Sequence, residues 1–317
     1  MGDLTNQPDA TRLIYGLRDT GYNFNTAAAD IIDNSIAANA SRVNVLLELM
    51  NDGRKFICFG DDGDGMDAAI LFEAMRYGAP VRSNLASLGK FGLGLKTAST
   101  SMCLRLTVIS RRSPGTELAK LAWDLEHVEK ENEWAMLREP VTADELDWFE
   151  ELCGDKGTLV IWSKCDRLLT KEFEQPGGTQ EQAAMRRLSE RLREHVGLVY
   201  YRFLDPADER ERTVAISIDN EKVEPWNPFY PVKAEQVLPK NLQKLEVVME
   251  DGAVEAAHIQ AWILPNQRDL NAEERKKARI SNRSQGFYIH REGRVIQQGG
   301  VAWRVRRGRA AYVAAKD

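Results

Sequence analysis

The sequence predicts an α+β protein of two successive domains, and three observations carry that expectation. Early in the chain, two segments that alternate apolar and polar residues meet at the tight-turn tripeptide Asn51-Asp52-Gly53, with amphipathic helical patterns before and after them. The 317 residues suffice for about two domains at roughly 150 residues each. The texture then changes near LDPADERER, residues 204–212, a polar stretch containing a proline, which sets the expected domains at 1–205 and 206–317.

Residues 9–19 read as a short helix and Phe24–Asn39 as a longer one. SRVNVLLELM and RKFICFG form the two arms of a β-hairpin around NDG. DDGDGMD, residues 61–67, follows as a Gly-rich loop, and AAILFEAMRYG returns to helical period. APVRSNLASLGKFGLG is a long loop rich in Gly and Ser, and LKTASTSMC a helix. LRLTVISRR and LAKLAWDLE are strands, Glu145–Leu152 is helical, and GTLVIWSKC is a strand. Gln180–Tyr201 is a long amphipathic helix that closes the first domain. Beyond it, RTVAISIDNEKVEPWNPF, LQKLEVVMEDGAVEAAHIQAWILP and SQGFYIHREGRVIQ read as strands and turns, with NAEERKKARI as a helix between them.

Composition narrows the function classes. Hydrophobic residues make up 43% and charged residues 29%, ordinary values for a globular protein. No apolar run approaches the roughly 20 residues that span a bilayer, and the N-terminus lacks a basic-then-apolar leader pattern. Cys58, Cys103, Cys153 and Cys165 are scattered, with no CxxC pair, so the expectation is a reduced, cytoplasmic protein without structural zinc. The net charge of -5 does not by itself point to nucleic acid.

Three segments carry chemistry. In AAADIIDNSIAANAS, Asp30 and Asn34 lie four apart and share a helix face. Together they offer a base and an oxygen ligand for a hard cation, or else the polar face of a surface helix. Asp33 is expected to face solvent or to cap a neighbour. DDGDGMD reads as D-x-G-x-G through Asp61, Gly63 and Gly65; an acid heading such a loop can accept from an exocyclic amine. A calcium loop is excluded, because its twelfth position would be Phe72, with Glu73 one residue late. Gly89, Gly92 and Gly94 form G-x-x-G-x-G before Lys96, and the loop runs into a helix, the arrangement of an anion cradle. It is neither a dinucleotide fingerprint nor a Walker A loop, and taken alone it also fits a flexible surface loop.

The order of these segments, closed by Gly157-Thr158 opening a strand, resembles the GHKL ATPases, the superfamily of DNA gyrase B, the ninety-kilodalton heat-shock chaperones, histidine kinases and MutL. DNSIAA and FGLGLKTAS look closest to the MORC and MutL-like branch. The likeness covers roughly residues 10–200. It implies a Bergerat-fold α/β sandwich with helices on one face of a mixed sheet, followed by a ribosomal-S5-like transducer domain. It implies ATP and Mg2+ as cofactors, with Asn34 as the metal ligand and Asp30 as the base that activates water. Asp61 would hold the adenine amine beside Thr158, with Met66 packed near the base. Gly63, Gly65, Gly89, Gly92, Leu93 and Gly94 would line the nucleotide, Lys96 would act in catalysis, and residues 78–94 would form the lid. Hydrolysing branches usually carry Glu where Asp30 stands, and the lost methylene shortens the reach by about 1.5 Å.

NRSQGFYIHREGRVIQQGG resembles the strand pair of the transducer domain, which in the superfamily supplies a Lys to the γ-phosphate. In the superfamily that Lys lies some way beyond the strand pair; here either Lys316 takes the role or it falls in a longer natural chain, and the longer chain is expected. From Arg275 to Arg309 eleven basic residues face one acid, Glu292, a phosphate-binding patch or a solvated counterweight to an acidic N-terminal half. The resulting expectation is slow, Mg2+-dependent ATP hydrolysis by a dimerising switch in DNA repair, chromosome organisation or phage defence. A non-hydrolysing nucleotide sensor, a chaperone-like module and a histidine kinase catalytic domain are the rivals. His127, His195, His258 and His290 lie in no phosphoacceptor context, which counts against the last.

Overall fold

The computed structural model describes residues 8–78, 94–169, 171–248, 252–281 and 284–299, and the backbone of 315–316. They gather into two compact units, one reaching Arg193 and taking back Val214–Val223, the other made of Glu194–Thr213 and the chain from Glu224 onward. Where the sequence suggests a single boundary near 205, the chain crosses between units more than once.

The first unit opens with a short helix, α1, Ala10–Gly16, and is organised by α2, Phe24–Ala37. Asn23 caps α2, accepting from the Thr26 N–H while the Thr26 hydroxyl accepts from the Asn23 N–H, so the entry to the helix is fixed at both ends of the box. The helix stops two residues short of the expected Asn39, which takes a left-handed φ of 62° and cannot continue it. Two further helices follow, α3, Ala68–Met75, and α4, Gly94–Met102. Ala27, Ala28 and Ala29 are fully buried. Their small side chains let α2 pack against α4, itself built of small residues. The α4 hydroxyls do not need water: Ser99, Thr100 and Ser101 donate to carbonyls three or four residues earlier.

Beneath the helices lies a seven-stranded mixed sheet, ordered β4-β3-β5-β2-β1-β6-β7. Its strands are β1 Arg42–Leu49, β2 Lys55–Asp61, β3 Arg105–Arg111, β4 Ala119–Asp124, β5 Gly157–Ser163, β6 Ala215–Ile218 and β7 Glu221–Lys222. The expected β1–β2 hairpin forms antiparallel with Val43 opposite Asp61. β6 joins β1 in parallel, so a segment assigned from the sequence to the second domain extends the first sheet.

After β4 comes α5, Leu125–Glu131, where the sequence suggests only the end of a strand; Asp124 caps it. Strand alternation sends neighbouring side chains to opposite faces. Phe59 and Trp162 pack with Phe24 of α2. Cys58, Leu159 and Ile161 turn the other way, onto Phe149 and Leu152 of α6, Ala143–Leu152. Helices therefore cover both faces, a correction to the one-sided sandwich, because apolar residues fill both sides of β2, β3 and β5. The long helix α7, Thr179–Val199, is tied to β2 by a largely buried Lys55–Glu181 ion pair at 2.6 Å.

The second unit contains a three-stranded sheet, two short strand pairs and the helix Ala272–Ala278. The strand pair expected in SQGFYIHREGRVIQ forms as Ile289–Arg291 against Arg294–Gln297. Its turn residues, Glu292 and Gly293, both take positive φ, 47° and 72°, as tight hairpins require.

Candidate functional site

Asp61 ends β2 and is 4% exposed. Oδ2 accepts from the Ser35 hydroxyl at 2.8 Å, and Oδ1 from the Gly63 N–H at 3.0 Å. Burial dominates the electrostatics and pushes its pKa from 3.8 up to about 6, although hydrogen bonds from Ser35, Gly63 and the Thr158 backbone pull it down. The other acids of DDGDGMD go elsewhere. Asp62 accepts from the Ser41 and Arg42 N–H groups, Asp64 from the Asn39 amide, and Asp67 caps α3. Of the four acids of this segment, Asp61, the one that heads the D-x-G-x-G pattern, is the buried one.

The glycines allow close approach. Gly65 takes φ +61°, and a Cβ there would stand 2.0 Å from the Arg111 carbonyl oxygen. The Met66 N–H donates to the Ser110 hydroxyl at 2.8 Å, which itself donates to the Gly157 carbonyl and lies 2.9 Å from the Thr158 hydroxyl. Thr158 pairs with Asp61 across β2 and β5. Asp61, Gly63, Gly65, Met66 and Thr158 thus form one connected group. Ser35 and Ser110, which hold it together, are not singled out by the sequence pattern. Ser35 sits inside a motif chosen for other residues and Ser110 in a plain strand, and a serine carries no distinctive spacing.

The helix that gives Ser35 to Asp61 also carries Asp30 and Asn34, and so brings both motifs together. The Asn34 amide nitrogen donates to the Asp30 carbonyl at 2.8 Å, which turns its oxygen to the other side. Asp30 Oδ2 accepts from the Tyr22 hydroxyl at 2.5 Å and lies 3.7 Å from where a Cβ on Gly94 would be. The first helical residue of α4 therefore meets the acid of α2. Asp33, expected at the surface, is 3% exposed, because its position on α2 faces inward beside Ile32 and Ile36. Lys96 is 1% exposed, and its Nζ donates to the Ala74 carbonyl at 2.8 Å, with the ammonium 6.0 Å from the Tyr77 ring centre. Gly89, Gly92 and Leu93, and residues 79–93 of the expected lid, lie outside the described residues.

An acid-and-amide helix is thus joined through a serine to a buried acid at a strand end, and Gly94 opens a second helix beside its acid. Residues 22–158 match the profile of the histidine kinase-, DNA gyrase B- and HSP90-like ATPase family, and this segment is a GHKL ATPase domain. Its similarities among characterised proteins lie in the MORC branch: the chain is 28% identical over 169 residues to the human ATPase MORC2, covering 43% of this chain and 16% of that protein. It is 27% identical to mouse ATPase MORC2A over 169 residues, with the same shares. It is 34% identical to mouse ATPase MORC2B over 77 residues, 23% of this chain and 8% of that one. The aligned region spans 16% of the length of the first two relatives. No described helix is long and apolar enough to cross a membrane.

Proposed function

We propose that the chain binds Mg2+–ATP between α2, the start of α4 and the β2–β5 strand ends, and hydrolyses it slowly as a nucleotide-driven dimerising switch. The observation that carries this reading is the buried Asp61 carboxylate, held by the Ser35 hydroxyl and the Gly63 N–H and set beside Thr158. An ionised carboxylate accepts through about four lone-pair sites, so it retains capacity for an adenine amine. A further donor to the charged form also offsets the burial that raises its pKa to about 6.

The residues present fit the metal. Among the described residues no cluster of three or more His, Cys, Asp or Glu could hold one alone. The Asn34 side-chain oxygen suits Mg2+, a hard cation that takes few protein ligands and completes its shell with phosphate and water. When bound, Mg2+ would neutralise phosphate charge as the terminal bond breaks. Asp30 would accept a proton from the attacking water at its carboxylate. Gly94 would bring the positive end of α4 toward the phosphates. The burial of Lys96 against Ala74 supports a role in holding the α3 end beside α4, alongside the catalytic role that the family resemblance implies for it.

ATP-dependent homodimerisation, DNA contact through 275–309, a transducer role for the second unit and a cytoplasmic setting belong to the same proposal. Calorimetry with ATP and GTP, together with turnover of the parent and Asp30→Asn, tests it. Selective Mg2+–ATP binding with turnover lost in the variant is expected. Binding without turnover in the parent would favour a nucleotide sensor, which the short Asp30 also fits.

A further inference from the structure

We propose that Tyr22 is a positioning residue for Asp30, locking the plane of its carboxylate; this rests on the reading of Asp30 as the acid that takes the proton of the attacking water. The contact is a Tyr22 hydroxyl donating to Asp30 Oδ2 at 2.5 Å, the short end of the range for a hydroxyl on a charged oxygen. Three features of the chain build it. Gly21 takes φ +80° and reverses the backbone after α1. Tyr22 then immediately precedes the Asn23 cap, and the capping box holds that approach fixed. From the cap to Asp30 the helix rises about 10 Å, and helical side chains lean toward the N-terminus, so the Asp30 carboxylate tilts back to meet a ring long enough to reach it.

Asp30 needs such a partner for a geometric reason. The terminal torsion of an Asp side chain is broad and roughly two-fold, so rotamer preference alone does not set the carboxylate plane, and a hydroxyl on Oδ2 constrains it. The residue is also one methylene shorter than Glu and has less freedom to bend a misplaced carboxylate back into line. Asn34 does not compete for this role, because its amide nitrogen is used on the Asp30 backbone carbonyl. A donor fixed on Oδ2 sets the direction in which the carboxylate meets water, and such alignment is where a shift of about 1 Å costs up to roughly 100-fold in rate.

The test compares parent, Tyr22→Phe, Asp30→Asn and the double variant by single-turnover ATP hydrolysis with protein in excess, by calorimetric Mg2+–ATP affinity and by thermal melting. Tyr22→Phe is expected to slow the chemical step roughly 10- to 100-fold with affinity and melting temperature unchanged. In the Asp30→Asn background it is expected to cost nothing further, since there is no carboxylate left to align. An unchanged rate in Tyr22→Phe while Asp30→Asn is inactive would overturn the proposal. So would affinity or melting temperature falling along with the rate, which would make Tyr22 part of the packing. Full turnover in Asp30→Asn would remove the base assignment itself, a result separable from the others because it does not depend on Tyr22.

Discussion

At the scale of single residues, Asp61 sets up a pH dependence whose sign follows from its burial. Its pKa in the fold is about 6 against an ordinary 3.8, so the fold favours the neutral acid. That preference stabilises the folded protein fully below about pH 4 and is lost as pH rises through about 6, a change of roughly 3 kcal/mol. Asp61→Asn keeps the shape without a charge to bury, its amide oxygen accepting from the Gly63 N–H and its amide nitrogen donating to the Ser35 hydroxyl. It should match the parent in melting temperature near pH 4 and exceed it above pH 6, while losing adenine nucleotide; an Asp61→Asn protein that still prefers ATP to GTP would contradict the adenine role. In the parent, ATP affinity should fall as pH drops through about 6, because the charged form is the stronger acceptor for an amine, and calorimetry across pH 5–8 would show it. Asn34→Ala should abolish the Mg2+-dependent part of ATP binding in a folded protein. Calorimetry giving equal affinity with and without the substitution would remove Asn34 from the metal site.

At the scale of elements, two glycines of the Gly-rich motifs differ in what they permit. Gly65 has φ +61° and no room for a Cβ before the Arg111 carbonyl at 2.0 Å. Gly65→Ala combines left-handed strain with a backbone clash and should cost about 3 kcal/mol or more, visible as a lower urea midpoint. At Gly94 a Cβ would meet Asp30 Oδ2 at 3.7 Å, an ordinary contact. Gly94→Ala should leave the folded protein within about 1 kcal/mol of the parent in urea titrations and act instead on nucleotide turnover, since it touches the acid. Equal destabilisation by the two changes would mean that α4 is held against α2 more tightly than its small side chains imply.

At the scale of the whole molecule, a net charge of -5 coexists with a basic run at 275–309. Some of that run is engaged locally: Lys277 pairs with Glu273, Arg279 lies over the Trp226 ring, and Arg275 donates to the Leu270 carbonyl. If the remainder binds phosphate, duplex DNA should be held with an affinity that falls steeply with salt. Reversing Lys276 to Glu should flatten the log–log salt slope by about 1, near 0.9 for each phosphate that is no longer neutralised. Anisotropy titrations at several salt concentrations measure that slope, and an unaltered slope would leave the run as a solvated face. Sedimentation with a non-hydrolysable ATP analogue should show a nucleotide-dependent dimer; a monomer at all nucleotide states would remove the switch from the proposal.

The order of motifs is legible in the chain because each depends on local spacing: Asp30 and Asn34 on the helical repeat, Gly63 and Gly65 on tight backbone turns, and the hairpin on Asn-Asp-Gly between alternating strands. Helix caps at Asn23, Thr142 and Asn271 follow from the same local rules. Local spacing heads the Gly-rich loop with Asp61 but cannot say how deeply it is buried, that Asp33 turns inward, or that Lys96 donates to the Ala74 carbonyl at a helix end. Nor does it carry any sign that Ser35 and Ser110 tie the loop together, that Tyr22 reaches Asp30, or that β6 returns to the first sheet. Most of those outcomes depend on pairs distant in the chain, whose meeting is decided by which faces of α2, α4 and the sheet bury apolar surface together. Local spacing places a side chain on an element; only the packing of elements places it beside its partner.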